Sequence, residues 1–475
     1  MTQALGIGAS AIGADMTAID ALAENIANAQ TPGYVSESAN LSPLPGGAGD
    51  GVGAGVEVTS ITQATNALLS ANNWQAQGAL SNLSALQETL TAMENVFPLP
   101  TQSASSTSAT ASSSISGLLS NFWSAWDAVG QSPSSNAPRA EVVDDAKGLV
   151  TALHEAATEL SQITQNAVAE LTDQVTQVNS LLTQVATLNK SITTVGSGAA
   201  ADSLGDQLRA VLDTLSQLAG VDVHMQSNGT ARVSIGGTSV VQGTTASTLE
   251  LVDTGSGSYS VKIAGTSGGA TVSVSSGSMA GLLSAVNTYL PSVRNNLNTV
   301  AKALATKVNT TLQAAYRSTG APATATTTVA ATTKYWQMFS EATGAGTVSA
   351  SGIEVNTTMI ADPSLIAVSA TSGGAAANNG VIAQRIAELG TTKNGPDAKY
   401  QTLIENIGAS TLSVNDQLQA QTSVATQASQ ALQSVSGVNV TDELTALLSF
   451  QQNYEASAKV LDTVDSTVQA LLQAV

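Results

Sequence analysis

Few side chains in this sequence have the type and spacing that catalysis or metal binding requires. The 475 residues include no cysteine, which excludes disulfides, thiolate metal ligands and cysteine nucleophiles. The two histidines, His154 and His224, belong to no His-x-x-x-His or Glu-x-x-His pair that would bring two ligands to one helix face. We therefore expect structural roles for both, His154 within a long helix and His224 on a strand.

Two pairs of adjacent carboxylates are the next candidates for a chemical site. They are Asp144-Asp145 and Asp442-Glu443. Adjacent side chains diverge on a helix, so neither pair can act jointly on one substrate atom. Both pairs fall in predicted first helical turns, where negative charge suits the helix dipole. We expect them to stabilise helix ends.

A glycine-rich stretch and two tryptophans also have structural explanations. The stretch GDGVGA (49–54) precedes a predicted strand, whereas a dinucleotide-binding loop opens a helix. Trp123 and Trp126 share one face of a short predicted helix, which favours core packing over ligand stacking. The sequence therefore predicts a protein that is not an enzyme and that has no catalytic residue, no cofactor and no metal.

The net charge and the distribution of apolar residues limit the kinds of partner that this chain can bind. The formal net charge is −19, and the first basic residue is Arg139. A chain of this charge repels polyanions, so we expect neither nucleic acid nor an anionic membrane surface as a partner. The N-terminus lacks the positive region and continuous apolar run of a cleavable signal peptide. No stretch of about 18 apolar residues is present, so we also expect no membrane insertion.

Both ends of the chain have the periodicity of amphipathic helices. Residues 4–29 carry an apolar seam at helical spacing, made by Leu5, Ile12, Met16, Ile19, Ala23 and Ile26. This helix should end abruptly, because Thr31-Pro32-Gly33 disfavours helical geometry and suits a type II turn. The spacing of apolar residues over 441–475 predicts a last helix, which we expect Thr441 to cap. Its apolar face includes Leu444, Leu447, Tyr454, Ala458, Leu461 and Val468.

Between the ends, the sequence predicts long helices interrupted by β structure. Helical periodicity is found at 64–97, 115–126, 139–192, 193–220, 279–317 and 397–436. Residues 221–276 alternate with period two between Gly/Ser turns, which predicts a small antiparallel domain. GVEVTSI (55–61) predicts a short strand after a flexible loop at 41–55.

The expected fold class is mainly α with inserted β domains. It combines paired terminal helices, a long antiparallel coiled-coil-like helical bundle and a small antiparallel β insertion. Four regions follow from this pattern. They are a terminal helical layer (1–40 with 436–475), a long-helix bundle (41–220, 279–317 and 379–435), a β-rich insertion (221–278) and a smaller Thr/Ala/Gly-rich insertion (318–378).

Two motifs resemble those of a known family. NIANAQTPGY (25–34), followed by GVGAGVEVTSI (51–61), resembles the N-terminal signature of axial flagellar proteins of the rod, hook and hook-junction type. LLSFQQNYEASAKV (447–460) resembles their C-terminal signature. The match covers about 1–95 and 436–475, and the middle agrees in architecture alone. The long inner helices favour a junction protein within this family.

Three positions depart from the family pattern. Val35 follows Tyr34 where the family tends to place serine, and Gln63 and Asn66 stand where arginine and aspartate are expected. We expect these positions to contact their neighbours differently in this chain.

The resemblance implies a structural subunit of the extracellular flagellum. It implies a ring of copies of this chain at the hook–filament junction, in contact with the hook protein and with a second hook-associated junction protein. It also implies export through the flagellar type III apparatus without a cleaved signal, and a cytoplasmic chaperone that masks the C-terminal helix before export.

Within such a tube, we expect the terminal helices to pack together as the innermost layer. The seam residues Ile12, Met16, Ile19 and Ile26 would then face Leu447, Tyr454, Leu461 and Val468. The turn after the first helix would lead the chain outward to the body. The expected assembly interface comprises these eight residues together with Asn28, Thr31, Pro32, Gly33, Tyr34, Leu444 and Ala458.

Two alternatives remain open from the sequence. The chain could be another axial flagellar protein, such as the second junction protein or a hook variant. It could also be a secreted enzyme or a carbohydrate-binding module carried by residues 221–276. Tyr259 is the only aromatic residue of that region, and this scarcity disfavours a sugar-binding platform.

Overall fold

Helices account for most of this computed structural model. It describes residues 2–31, 33–45, 53–98, 114–196, 198–255, 257–265, 269–315, 337–342, 347–371 and 379–473. Pro32 and much of the predicted insertion 318–378 lie outside these residues. The predominance of helix and the small antiparallel sheets inserted into it confirm the predicted fold class.

A helix and a β-hairpin form the N-terminal region. Helix α1 (Thr2–Asn28) is followed by strands β1 (Glu37–Leu44) and β2 (Gly55–Gln63), which pair antiparallel. The sequence predicted a flexible loop at 41–55, but residues 41–44 belong to β1. The boundary predicted between the terminal layer (1–40) and the long-helix bundle (41–220) therefore falls within this strand. Sequence reasoning missed β1 because its polar residues and Pro43 hide the alternation, and proline is tolerated in edge strands.

Four helices build the first part of the body. They are α2 (Ala67–Val96), α3 (Ile115–Gln131), α4 (Ala137–Val195) and α5 (Ala199–Ala219). All four were predicted, with bounds within a few residues. At about 1.5 Å per residue, α4 is about 90 Å long. Asn66 caps α2 by accepting hydrogen bonds from the backbone of Leu68 and Leu69, both at 3.1 Å.

The β insertion consists of two small sheets where the sequence predicted one domain. A four-stranded sheet contains β3 (Val221–Met225), β4 (Ala231–Ile235), β5 (Thr238–Gln242) and β6 (Thr245–Ala246). A three-stranded sheet contains β7 (Leu249–Gly255), β8 (Ser258–Ile263) and β9 (Thr271–Val272). The sequence did not predict β5 and β6, because they are short and lie among glycine and threonine.

The chain then returns to helix. Helix α6 (Ser278–Ser284) continues through a π-helical turn (Ala285–Tyr289) into α7 (Leu290–Gln313). Short elements follow, namely β10 (Phe339–Glu341), β11 (Ile353–Val355), α8 (Thr357–Ala361) and α9 (Val381–Ala387). The last two helices are α10 (Pro396–Ser436) and α11 (Val440–Gln473). Asn439, rather than the predicted Thr441, caps α11 by accepting a hydrogen bond from the Thr441 backbone at 3.1 Å.

The hydrophobic core follows the long axis of the body. Helix α4 buries leucine, valine and alanine along almost its whole length, against α3, α5, α7 and the β insertion. Helices α2 and α10 run antiparallel: Phe97 meets Tyr400 edge-to-face at 6.4 Å, and the Gln421 amide donates to the Ala76 carbonyl at 3.0 Å.

Helical asparagines attach the β elements to the helices. In each case the side-chain amide donates to one backbone carbonyl and its oxygen accepts from a backbone N–H of a strand. The pairings are Asn25 with Glu37, Asn179 with Leu249, Asn189 with Ala231, Asn287 with Tyr259, and Asn309 with Phe339. A primary amide reproduces the hydrogen-bonding groups of a peptide, so it satisfies strand-edge groups that burial would otherwise leave unpaired.

Helix α1 meets a common criterion for membrane-spanning segments. Residues Gln3–Asn28 are long and apolar enough to cross a membrane by length and composition alone. A helix that packs against another helix meets the same criterion, and α1 packs against α11 and the β-hairpin. The prediction of no continuous apolar run of about 18 residues is not contradicted, because Asp15, Asp20 and Glu24 lie within this helix.

Candidate assembly interface

The terminal helices α1 and α11 pack against each other and form what we call the terminal pair. The buried positions of α1 are mostly small, and they include Gly8, Ala14, Ala18 and Ala21. Gly8 faces Leu461 so closely that a Cβ atom there would lie 2.8 Å from a leucine methyl carbon. Small residues let the two helix axes approach, but they bury little apolar area. No described residue of α11 is buried.

This geometry corrects the predicted pairing of large seam residues. Met16 is 51% exposed and Tyr454 is 36% exposed, so they do not form the interior of the terminal pair. Ile12, Ile19 and Ile26 are half-buried along the edge of α1. The contact that the structure shows here joins Leu461, one of the predicted seam residues, to Gly8, whose missing side chain permits a close approach of the two helices.

The predicted face of α11 is likewise only partly covered. Leu447, Ala458, Leu461 and Val468 are half-buried, and Leu444 is exposed. Exposed apolar side chains recur along the whole helix. They are Val440, Leu444, Leu448, Tyr454, Val460, Leu471 and Leu472. An isolated chain therefore leaves a long apolar surface open to water at this end.

A tight turn connects α1 to the hairpin, as the sequence predicted. The Tyr34 N–H donates to the Thr31 carbonyl at 3.2 Å, and Gly33 has φ of +80°, a geometry typical of a type II turn. The Asn28 side chain accepts a hydrogen bond from the Thr31 hydroxyl at 3.2 Å. A Cβ atom at Gly33 would lie 3.0 Å from Ala210 of α5, so this position also needs glycine for close packing. Pro32 lies outside the described residues.

Asn25 joins the terminal pair to the body and was not selected from the sequence. Its fully buried amide binds the Glu37 carbonyl and N–H at 2.8 Å each. It also donates to the Glu443 carboxylate at 3.1 Å and accepts from the Tyr34 hydroxyl at 2.9 Å. One side chain thus links α1, the turn, β1 and α11. The available signal was its place at the start of NIANAQTPGY.

Carboxylates gather around Asn25. Burial raises the pKa of Glu37 most, and although the hydrogen bond from Gln63 lowers it, nearby carboxylates such as Asp202 and Glu24 raise it further. Burial also raises the pKa of Tyr34, and nearby carboxylates, first Glu37 and then Glu24, oppose its ionisation. Basic side chains therefore do not fully neutralise the negative charge of the carboxylates around Asn25.

Gln63, one of the departures from the family pattern, connects this cluster to α5. Its amide donates to the Asp206 carboxylate at 3.0 Å and to Glu37 at 3.3 Å. Its oxygen accepts from Arg209 at 2.6 Å, and Arg209 also forms an ion pair with Asp206. A neutral amide can donate to one neighbour and accept from another. Gln63 thus fits between an arginine and two carboxylates.

A polar cleft of about 990 Å³ lies between the terminal pair and the body. Its walls include Thr31, Tyr34, Asn66, Asn439 and Glu443. Among the described residues, no group of three or more His, Asp or Glu side chains is placed to hold a metal. The Ser36 N–H donates to the Ser436 carbonyl at 3.0 Å and ties the two connections between pair and body together. The cleft therefore marks a joint between two parts of the chain.

The other sequence candidates have structural surroundings. The His154 imidazole hydrogen-bonds the Ile353 carbonyl at 2.8 Å and attaches β11 to α4. His224 lies on β3 opposite Arg232. Trp126 is fully buried, and the Trp123 indole donates to Asp397 at 2.8 Å. The expectation that both tryptophans pack in the core is confirmed.

Two family models match parts of this chain. Residues 102–325 match the family model of the flagellar hook-associated protein FlgK helical domain. Residues 428–474 match the flagellar basal body rod FlgEFG protein C-terminal model, and this range contains the whole of α11.

Full-length relatives and a solved structure agree with these matches. Flagellar hook-associated protein 1 of Escherichia coli K12 is 25% identical, with alignment over 99% of this chain and 100% of that protein. The same protein of Salmonella typhimurium is also 25% identical, with the same shares covered. The structure of the flagellar hook junction protein FlgK from Burkholderia pseudomallei matches with a TM-score of 0.63 at 18% identity. The alignment covers 77% of this chain and 100% of the Burkholderia chain. At this identity it shows similarity of the fold alone. The two family models and the full-length relatives together support the identification of this chain with the flagellar hook-associated proteins, to which it is similar over almost its whole length.

Proposed function

We propose that this chain, a structural protein of the flagellar hook junction, forms a ring in which the terminal pair is the contact layer between neighbouring subunits. The ring would lie between the hook protein and the second hook-associated junction protein, outside the cell. Filament assembly would depend on it. The chain would act without catalysis, since its relatives are structural flagellar proteins by name.

The observation that carries this proposal is the open state of α11. A helix of 34 residues with no buried described residue gains less stability from its own chain than the helices of the body do. Most helical stability in proteins comes from tertiary packing of an apolar face. The exposed leucines of α11 therefore favour a state in which other subunits cover them.

The joint at Asn25 and the turn at Gly33 support the same proposal. They fix the direction in which the terminal pair leaves the body, so that every copy would present its contact layer at one angle. The full set of interface residues predicted from the sequence remains part of this proposal, with Met16 and Tyr454 assigned to contacts between subunits rather than within one.

Export and chaperoning complete the proposal. An exposed apolar helix at the C-terminus is an aggregation hazard in the cytoplasm. A chaperone that covers α11, followed by export through the flagellar type III apparatus without a cleaved signal, would remove that hazard until assembly.

A matched pair of substitutions tests the proposal. Leu448 on α11 is 58% exposed, and Leu412 on α10 is 67% exposed. Replacing either by serine should change monomer stability by no more than about 0.5 kcal/mol, because both lie on the surface. We expect Leu448→Ser cells to make hooks with few filaments, and Leu412→Ser cells to make normal filaments.

Electron microscopy of the two strains, with cell extracts probed for equal protein levels, gives the readout. Deletion of residues 440–473 serves as the severe variant and should leave hooks without filaments. Normal filaments after that deletion would overturn the proposed role of the terminal pair.

A further inference from the structure

Five carboxylates meet at the joint between the terminal pair and the body. We call them the joint cluster and define it as Glu37 together with the acidic side chains whose charges act on Tyr34 or on Glu37. Its members are Glu24 of α1, Glu37 of β1, Asp202 and Asp206 of α5, and Glu443 of α11. Arg209 of α5 forms an ion pair with Asp206 and so brings a positive charge into this cluster.

Basic side chains are scarce in the helices and strands that meet at the joint. Helices α1 and α2 and both strands of the hairpin contain none, and α5 contains Arg209 alone. Helix α10 contains only Lys399, in its first turn, whereas its last turn reaches the joint. Helix α11 contains only Lys459, about 24 Å along the helix axis from Glu443. Within the described residues of these elements, the cluster therefore depends on Arg209 for positive charge.

Arg209 also begins a series of contacts that connects the body to the terminal pair. Its guanidinium donates to the Gln63 side-chain oxygen at 2.6 Å, and the Gln63 amide donates to Glu37 at 3.3 Å. The Glu37 backbone is bound by the Asn25 amide, which donates to Glu443 as well. The series thus runs from α5 through the hairpin to both terminal helices.

The pKa of Asp206 shows what the charge of Arg209 does at this place. Burial raises that pKa, and Arg209 lowers it by its charge and by a hydrogen bond. Arg209 also lowers the pKa of Asp202, against the effect of burial. The Asp206 carboxylate in turn accepts hydrogen bonds from the Val35 backbone and from Gln63. The guanidinium therefore favours the ionised form of a carboxylate that holds the turn after α1.

Without Arg209, the joint cluster would lose the opposite charge that these elements supply. Like charges in a partly dehydrated place repel strongly, and opening the polar cleft beside the joint would relieve the repulsion. We infer that Arg209 is a positioning residue for ring assembly, because its charge balances the acidic joint and so holds the terminal pair at one angle to the body. This inference rests on the proposed function, in which that angle sets the direction of the contact layer.

The test measures the angle as a distance within the purified full chain. The sequence has no cysteine, so Gln419→Cys on α10 and Gln452→Cys on α11, both exposed, would carry the only two spin labels. Double electron–electron resonance gives the distribution of distances between them. At about pH 8, we expect one narrow distribution in the labelled parent chain and a broad one after Arg209→Gln. Arg294→Gln, which removes an exposed arginine of α7, is the control of equal charge and should keep the narrow distribution.

The pH dependence separates the charge of Arg209 from its packing. As the pH falls to about 5, carboxylates of the cluster bind protons, and those with a raised pKa do so first. The repulsion then weakens, so the Arg209→Gln distribution should narrow again, while the parent and Arg294→Gln chains should stay narrow at both pH values. Arg209→Lys keeps the charge and should stay narrow at about pH 8.

A double variant tests the charge balance directly. Asp206→Asn combined with Arg209→Gln removes one charge of each sign, and the asparagine oxygen can still accept the Val35 N–H. We expect this variant to restore the narrow distribution at about pH 8. Should Arg209→Gln alone lose helix content by circular dichroism, the double variant gives the decision, because a broad distribution or lost helix content in it would overturn the inference.

Two results with Arg209→Gln would also overturn the inference. The first is a narrow distribution at about pH 8. The second is a distribution that is broad at both pH values while the helix content is intact, because packing rather than charge would then set the angle. The filament assay on Leu448→Ser and on the 440–473 deletion leaves Arg209 in place, so it tests the proposed function separately.

Discussion

Helices α4 and α11 are both long and amphipathic, yet they differ in what covers them. Helix α4 buries eighteen residues, among them Leu153, Leu171 and Leu182 at essentially zero exposure. Helix α11 carries leucines at similar spacing and buries none of its described residues. Sequence periodicity thus shows which face of a helix is apolar, but not whether the same chain supplies the partner.

The largest expected difference concerns core leucines. Leu153→Ala in α4 should lower the free energy of unfolding by about 2–5 kcal/mol, because it leaves a cavity in a packed core. Leu448→Ala in α11 should change it by no more than about 0.5 kcal/mol in the isolated chain. Chemical denaturation of both variants measures the contrast. Comparable losses would mean that α11 is covered within a single chain.

Substitution of Asn25, which lies where the terminal pair joins the body, should give the next largest loss of stability. Asn25→Ala leaves the Glu37 N–H and carbonyl without their side-chain partner in a buried place, which costs about 1–3 kcal/mol. Asn28→Ala, which removes a more exposed side chain, provides the control. Hydrogen exchange at the Glu37 amide should accelerate in the first variant alone. Unchanged exchange there would show that Asn25 does not anchor the hairpin.

Two glycines of the same region should respond with opposite signs. Gly33→Ala forces a side chain into a left-handed conformation and against Ala210, and should destabilise by about 1–2 kcal/mol. Gly13 lies on an exposed face of α1 with open space around its Cβ position. Gly13→Ala should stabilise α1 by up to about 1 kcal/mol, because alanine is the better helix former. Thermal unfolding followed by circular dichroism distinguishes the two shifts.

The smallest effect should come from pH. Burial raises the pKa of Glu37 in the folded chain, so the folded state binds a proton more readily than the unfolded state does. Stability should therefore fall as pH rises from the ordinary carboxyl pKa of about 4.3 to the raised value, and stay level above it. Glu37→Gln should remove its share of this slope. An unchanged slope in that variant would assign the pH dependence to other carboxylates.

The sequence predicted most elements because their periodicity is long and regular. Helices α2, α4 and α7 bury one face along most of their length, and α10 does so over its first half, so their apolar spacing predicts their structure directly. Strands β1, β5 and β6 were missed because they are short, polar or interrupted by Pro43, and their stability comes from tertiary pairing rather than from local pattern.

The candidate interface was predictable in place but not in detail. The signatures around residues 25–34 and 447–460 lie on the two terminal helices that pack together in the structure. The contact of Gly8 with Leu461 escaped prediction because glycine contributes little hydrophobicity, and close approach of two backbones cannot be read from apolar periodicity. Asn25 escaped because a single polar residue in a helix has no signal for its partners, which lie on other elements.

The central claim is that the apolar surface of α11 is open in one chain and covered in the assembled flagellum. The absence of native cysteine allows a direct measurement, since a single introduced cysteine is the only thiol. We expect Leu448→Cys to react rapidly with a maleimide in the purified monomer and to be protected in isolated flagella. Thr244→Cys, on the exposed surface of the β insertion, should react in both states. Equal reactivity of Leu448→Cys in monomer and flagellum would contradict the claim.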